Sequence, residues 1–293
     1  MLMATRPQVI RNAMTIDVED YFQVSAFAPY IARSDWDARE CRVERNIERI
    51  LALLAAKQCK ATFFTLGWIA QRYPQMLRAI VEQGHELASH GWGHERVSDL
   101  TPAAFAEDIG RAKKLLEDLG GQAVLGYRAP SFSIGENNLW AFDVLLEQGY
   151  RYSSSVYPIR HDHYGMPDSP RFAYPVRQGL LEVPVTTLRV MNKNLPSSGG
   201  GYFRLLPYAL SRWMIRQVNT QDQQSAVFYF HPWEIDAGQP RIAGIDAKTR
   251  FRHYVNIPRT HDRIAQLLSD FAWGRMDEIF LAPSAVEQKA RVA

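Results

Sequence analysis

A chain of 293 residues, 46% hydrophobic and 22% charged, is long enough to bury a sizeable core as one large α/β domain or two ordinary ones. Its 34 basic and 31 acidic residues leave a formal charge of +3 without any Lys/Arg block, which argues against nucleic acid or an anionic membrane surface as partner. The two cysteines, Cys41 and Cys59, have no CxxC spacing, the N-terminus lacks the apolar stretch of a secretory signal, and no run of about 18 apolar residues occurs, so a soluble cytoplasmic protein with no transmembrane segment is expected.

Residues 13–18 read as a buried strand that runs directly into an acidic cluster, MTIDVEDYF, with Asp17, Glu19 and Asp20 inside four positions. Residues 43–57 place Val43, Ile47, Ile50, Leu51 and Leu54 on one helical face. ATFFTLG (61–67) is a strand ending in glycine, and PQMLRAIVEQG (74–84) opens with proline and closes with glycine, as a helix does. HELASHG is a short strand running into a loop; Thr101 and Pro102 cap and open a helix to about Leu119. VLGYRAP is a strand, the Asn137/Asn138 pair caps a helix ending near Gly149, and YRYSSSVYP is a further short strand. LLEVPVTTLRV (180–190) reads as one longer strand, PSSGGGYF (196–203) as a flexible loop, and 207–218 and 258–271 as helices on either side of the strand AVFYFH (226–231).

Repeated βα units of about 25 to 40 residues argue for a parallel sheet covered by helices. The unusual polar residues stand just after strands: Asp17, Glu19 and Asp20, then His90 and His94, then Arg128, then His231. In a parallel barrel these strand ends converge on one face; in an open doubly wound sheet they share one edge. No composition break marks a second domain.

SHGWGHE sets His90 and His94 four residues apart, and on a helical turn that spacing brings both imidazoles to one ion. A carboxylate from positions 17–20 would complete a two-histidine, one-carboxylate set with open positions, which suits a catalytic divalent metal. The alternatives are two unrelated histidines and a solvated acidic turn. Asp17 and Glu19, two apart on a strand, face the same way, so one carboxylate can bind metal while the other serves as a general base. Arg128 can orient that free carboxylate or be an ordinary ion pair, and His231 can be a general acid or a satisfied core histidine. There is no P-loop, no Rossmann fingerprint, no GxSxG elbow and no HExxH motif. Aromatics, at 12%, suit core packing or sugar stacking.

Taken in order, TIDVED, SHGWGH, RAP and FHPWEID resemble the polysaccharide deacetylase family, the family 4 carbohydrate esterases that share the NodB-homology domain. The similarity is nearest to the branch that accompanies exosortase (PEP-CTERM) exopolysaccharide clusters in Gram-negative bacteria, and it covers residues 12–281, leaving 1–11 and 282–293 as tails. The resemblance implies an α/β fold, a distorted (β/α)7 barrel of NodB-homology type, and removal of N-acetyl groups from amino sugars of an oligo- or polysaccharide, here an exopolysaccharide precursor. It implies a divalent metal, zinc first and cobalt or nickel as alternatives.

Carried over by residue, Asp17 resembles the family's catalytic base, His90 and His94 its histidine ligands, Arg128 the arginine that orients the base, and His231 the general acid. The family's second aspartate is replaced by Val18, so the acidic ligand shifts to Glu19, with Asp20 as the alternative. Ser153 stands where the family has an aspartate supporting the catalytic histidine, and Asp162 is a candidate substitute. Tyr21, Phe132, Tyr157 and Trp233 are candidates for a sugar-binding groove. Two rival expectations are a cyclic-amide hydrolase of the allantoinase kind and a catalytically silent sugar-binding protein.

Overall fold

The structure, a computed structural model, describes residues 9–161 and 165–281. Its centre is β1 (Arg11–Val18), buried from Asn12 to Val18 on both faces, as a central strand of a parallel sheet must be. On one side β2 (Thr62–Thr65), β3 (Glu86–Ser89), β4 (Gly126–Tyr127) and β5 (Tyr152–Ser153) follow in order, each parallel to the last. β6 (Tyr174–Arg177) and β7 (Leu180–Glu182) form a hairpin whose second strand continues the parallel sheet beside β5. β8 (Thr187–Val190) and β9 (Lys193–Pro196) pair with each other in a separate hairpin. β10 (Val227–Phe230) lies parallel to β1, and β11 (Ala272–Gly274) pairs with the first residues of β1.

Seven strands, β10, β1 to β5 and β7, thus run parallel in one curled sheet, matching the expected α/β barrel of NodB type. The distortion lies at the seam, which closes without a regular ladder. Val227 N donates to Thr186 Oγ1 at 2.6 Å, Tyr229 N donates to Ser198 O at 2.7 Å, and Gly199 bridges Tyr229. A Cβ at Gly199, where φ is +124°, would come within 1.9 Å of the Tyr229 carbonyl oxygen, so the seam requires glycine.

Helices α1 (Val43–Ala56), α2 (Gly67–Arg72), α3 (Pro74–Glu82), α4 (Pro102–Gly120) and α5 (Ala141–Glu147) cover the first half of the sheet. They are followed by α6 (Gly200–Leu205), α7 (Tyr208–Thr220), α8 (Ala247–Tyr254) and α9 (Ile257–Asp270). α1 buries the five apolar side chains predicted for its inner face. α4 starts where Thr101 accepts from Ala104 N and stops at Gly121, whose φ of +64° ends the helix. Among the described residues no helix is long and apolar enough to cross a membrane.

Three expectations fail locally. The strand predicted over 180–190 is broken at Pro184 into β7 and β8, which belong to different sheets, because proline removes a ladder donor. The segment 196–203 is not a loose loop: Ser197 and Ser198 are buried at the seam and Gly200 opens α6. The helix ending near Gly149 begins at Ala141, and Asn138 sits inside a separate 3-10 turn, Glu136–Asn138, its side chain accepting from Gly135 N. β1 also begins at Arg11, within the stretch read as a tail, while residues 1–8 and 282–293 of the two tails lie outside the described residues.

Glu182, at the end of β7, is completely buried, and its Oε1 accepts from the amides of Ser155 at 2.9 Å and Val156 at 2.8 Å. Burial pushes its carboxyl up to about 7 from an ordinary value of 4.5. The folded protein therefore holds this proton more tightly than the unfolded chain. The resulting stability is fully present below the ordinary value and is lost as pH rises through about 7. Glu182→Gln keeps an acceptor for both amides and cannot ionise. Thermal melts are expected to move in the variant's favour relative to wild type between about pH 5 and about pH 8. A Tm difference that is the same at both pH values would contradict this.

Candidate metal centre and active site

Five side chains meet at the carboxyl ends of four strands of the sheet. Asp17 and Glu19 come from β1 and its exit, His90 from the exit of β3, Arg128 from the exit of β4 and His231 from the exit of β10. His94 arrives by a different route. The segment after β3 is not the helical turn expected from the i, i+4 spacing; it is a loop with Gly91 at φ +77° and His94 at φ +63°. Two left-handed residues fold the chain back, so the imidazole rings lie 5.3 Å apart. Gly91 has a second reason to be glycine, since a Cβ there would meet Asp108 Oδ2 at 2.7 Å, and that carboxylate accepts from Trp92 N.

Potential ligand atoms of Glu19, His90 and His94 all lie within 4.8 Å of one another. His90 Nδ1 is 2.7 Å from the carbonyl oxygen of Arg128; donating there leaves Nε2 with its lone pair for the centre of the site. Burial lowers the His90 pKa to about 4, which keeps the ring neutral. Glu19 is 2% exposed, and its Oε2 lies 2.6 Å from His94 Nε2 yet is aligned in no hydrogen bond. Burial works to raise the Glu19 pKa, but His94 and His231 outweigh it and hold the carboxyl well below the usual range. A buried carboxylate oxygen with no hydrogen bond, facing two imidazoles, is the donor set of a borderline divalent cation, and these residues fit one.

Asp20, the alternative ligand, does not join this group. Its Oδ1 accepts from Tyr21 N at 2.7 Å, and its Oδ2 accepts from Val43 N at 2.8 Å and from Arg42 N. Those bonds satisfy orphan amides at the start of a 3-10 turn and of α1, and they turn the carboxylate away from the histidines. Glu19 is therefore the carboxylate beside His90 and His94.

Arg128 is fully buried and donates to Asp17 Oδ1 at 2.5 Å, to Thr15 Oγ1 at 2.8 Å, and to Ser154 Oγ at 3.0 Å. Asp17 Oδ2 lies 3.9 Å from His231 Nε2. His231 Nε2 is 3.6 Å from Glu19 Oε1 as well, so the ring faces both carboxylates.

The carboxylate behind His231 is Glu234, which the sequence reading did not assign. His231 Nδ1 lies 2.7 Å from Glu234 Oε1, and Glu234 Oε2 accepts from Arg204 Nε at 2.6 Å. Burial works against the charged imidazole, but Glu19, Glu234 and Asp17 overcome it and raise the His231 pKa to about 9. The available signal was in FHPWEID itself: a glutamate three residues after the strand-ending histidine, with proline between, is a capping-box arrangement, and His231 N donates to Glu234 Oε1 at 3.1 Å. Ser153 instead bonds Ser155, and Asp162 lies outside the described residues.

The four aromatics proposed for a sugar groove are all buried. Tyr21 is 2% exposed, Phe132 6%, Tyr157 0% and Trp233 5%. Tyr21 packs edge-on against Phe22, and Phe132 sits between Tyr157 and Tyr229, so these rings have no open face for a sugar. Trp233 is part of the site in another way: its Nε1 donates to Glu19 Oε1 at 3.1 Å, and its ring stacks between His231 and His253. A cleft of about 390 Å³ lined by Leu139, Phe142, Tyr174 and Arg177 shares no residue with this cluster.

Residues 36–153 match the family described as Polysaccharide deacetylase, and residues 154–281 match a domain of unknown function, DUF3473. The nine-stranded sheet draws strands from both segments. A peptidoglycan deacetylase of Helicobacter pylori is 32% identical over 115 residues, which take in 39% of this chain and 38% of that protein, so the match spans well under half of the curated relative. Over nearly the whole chain the fold is that of a Mycobacterium smegmatis structure described as a polysaccharide deacetylase (TM-score 0.59, 19% identity, 99% of this chain and 93% of that one). Puue allantoinase has the same fold (TM-score 0.59, 16% identity, 94% of this chain and 90% of that one). Residues 36–153 thus match the polysaccharide deacetylase family, and the whole chain has the fold of these two solved structures.

Proposed function

We propose that the protein is a metal-dependent hydrolase that removes N-acetyl groups from amino sugars of an oligo- or polysaccharide, an exopolysaccharide precursor being the candidate substrate. The observation that carries this reading is the meeting of Glu19, His90 and His94 within 4.8 Å, flanked by the buried carboxylate of Asp17 and the part-exposed imidazole of His231. A divalent cation held by those three side chains would supply Lewis acidity toward a water and an acetyl oxygen.

Asp17 is the base: its Oδ1 is occupied by Arg128, and its Oδ2 faces the site to take a proton from the attacking water. Arg128 fixes the carboxylate's direction through its bond to Oδ1. His231 is the acid. Glu234 holds its Nδ1 and supports the protonated ring, so Nε2 carries the proton that the leaving amine nitrogen needs. Ser153 motivated the reading of a silent sugar-binding protein; Glu234 supplies the carboxylate whose loss that reading presumed.

Three outcomes test these assignments. Asp17→Asn is expected to lose about 10²- to 10⁴-fold in acetate release from N-acetylglucosamine oligomers while retaining the metal by elemental analysis. Turnover within a few-fold of wild type would remove Asp17 from the role of base, and hydrolysis of cyclic ureides in preference to the oligomers would favour the allantoinase-like reading. Glu19→Ala is expected to lose stoichiometric metal, whereas Asp20→Ala keeps it and loses about 1–2 kcal/mol of stability as helix-capping bonds disappear; the reverse pattern would exchange their roles. Glu234→Ala is expected to cut acetate release about 10- to 100-fold with metal content unchanged.

A further inference from the structure

Trp233 stands two residues beyond the strand-ending His231, in the 3-10 turn Pro232–Ile235, and is buried. An indole placed there must find an acceptor for its one N–H. Its Nε1 donates at 3.1 Å to Glu19 Oε1, on the exit of β1, 214 residues away in sequence. The same oxygen lies 3.6 Å from His231 Nε2. Glu19 Oε2 has no hydrogen bond and lies 2.6 Å from His94 Nε2. The two oxygens of one carboxylate therefore have different neighbours, and the indole N–H helps to set them apart.

The indole is held against swinging away from that bond. Its ring stacks on His231 at 5.1 Å between centroids and on His253 at 4.3 Å, with interplanar angles of 19° and 13°. Phe27 packs in turn against His253 at 4.5 Å. His253 Nε2 lies 2.6 Å from Gln239 Oε1, and Gln239 Nε2 donates back to the Trp233 carbonyl at 2.8 Å. The Arg204 guanidinium, which bonds Glu234, stands 5.2 Å from the Trp233 ring centre, within cation–π range. Ring and backbone are thus held by different partners, so the direction of the N–H is set before any ligand arrives.

We propose that Trp233 is a positioning residue of the metal centre: it holds Glu19 by Oε1, so that Oε2 is the oxygen presented to a cation shared with His90 and His94. The proposal rests on the metal-dependent reading above. An unrestrained glutamate side chain has rotamer freedom to lose, and its carboxylate can offer a cation one oxygen or two. A fixed donor on one oxygen removes that choice and reduces the ordering that binding would otherwise require. The bond runs from a neutral donor to a charged acceptor, which makes it stronger than one between neutral groups. Filling space in the core would need the ring but not the N–H, and that difference is what the test reads.

Zinc affinity is measured on the full chain, stripped of metal, by competition with a chromophoric chelator, and thermal melts verify that the variants fold. Trp233→Phe keeps an aromatic ring for the stack and removes the donor; it is expected to weaken zinc binding about 10- to 100-fold. His253→Phe disturbs the same stack by losing the bond to Gln239, without touching Glu19, and is expected to bind zinc as wild type does. Wild-type affinity in Trp233→Phe, or equal weakening in both variants, overturns the proposal. A second measurement needs no variant. In protein carrying isotope-labelled tryptophan, the Trp233 indole N–H resonance, identified by its contacts with the His253 ring, is expected to shift on zinc addition. That of Trp273, whose Nε1 donates to the Leu267 carbonyl, stays in place. An unshifted Trp233 resonance likewise overturns the assignment. Both measurements are made without turnover, so a loaded enzyme that releases no acetate counts against the deacetylase reading and leaves the Trp233 result standing. A wild type that binds no zinc removes the metal centre and this proposal with it.

Discussion

A guanidinium with no solvent exposure must be neutralised and hydrogen-bonded where it stands, and Arg128 is the one at the centre of this fold. Its charge is met by Asp17, and its remaining donors by Thr15 and Ser154, so three strand ends are drawn to one point. Its backbone carbonyl takes the Nδ1 of His90 and thereby selects which ring nitrogen faces the site. Removing this one side chain would strand a buried carboxylate and loosen β1 from β4 and β5. The arrangement explains why the residue after a two-residue strand can hold so precise a position: side-chain bonds do what a longer ladder would do.

The second anchored unit is the segment after β10. Arg204 ties Glu234 to the last carbonyls of α8, Glu234 holds His231, and Asp236 accepts from Arg42 and Asn46 at the start of α1. Every carboxylate of FHPWEID is therefore spent on holding the turn that presents His231. With Ser153 bonded to Ser155, the imidazole of His231 still has a carboxylate, because Glu234 stands three residues along the same turn. Trp233 joins both halves, donating to Glu19 on one edge while stacking on His231.

Buried charge is thus concentrated on the side of the sheet where the strands end, and the charges there take partners from other elements: Asp17 from the exit of β4, Glu19 from the loop after β3, Glu234 from α6. What such a site requires of its carboxylate is that it reach the two histidines, as Glu19 does. Glu19 lies one residue beyond β1, where the chain has left the ladder, and the longer side chain spans the added step.

Much of this was legible in the sequence. The βα alternation, the buried β1, the apolar face of α1 and the caps of α4 follow from periodicity and from local backbone chemistry, which depend on neighbours a few residues away. The order of TIDVED, SHGWGH, RAP and FHPWEID also carried the residues of the site, because functional side chains at parallel strand ends recur at the spacing of βα units. What it did not carry was anything settled by contacts distant in sequence. The break at Pro184, the packed glycines at the seam, and the choice between Glu19 and Asp20 each turn on which partner is already occupied. The burial of Tyr21, Phe132, Tyr157 and Trp233 was equally illegible, since an aromatic looks the same in a sequence whether it packs a core or lines a groove. The sequence by itself determined which chemical groups this protein has at its strand ends. Only the tertiary structure decided which of them stand together, because a carboxylate's surroundings are set by what else accepts or donates within about 3 Å of it.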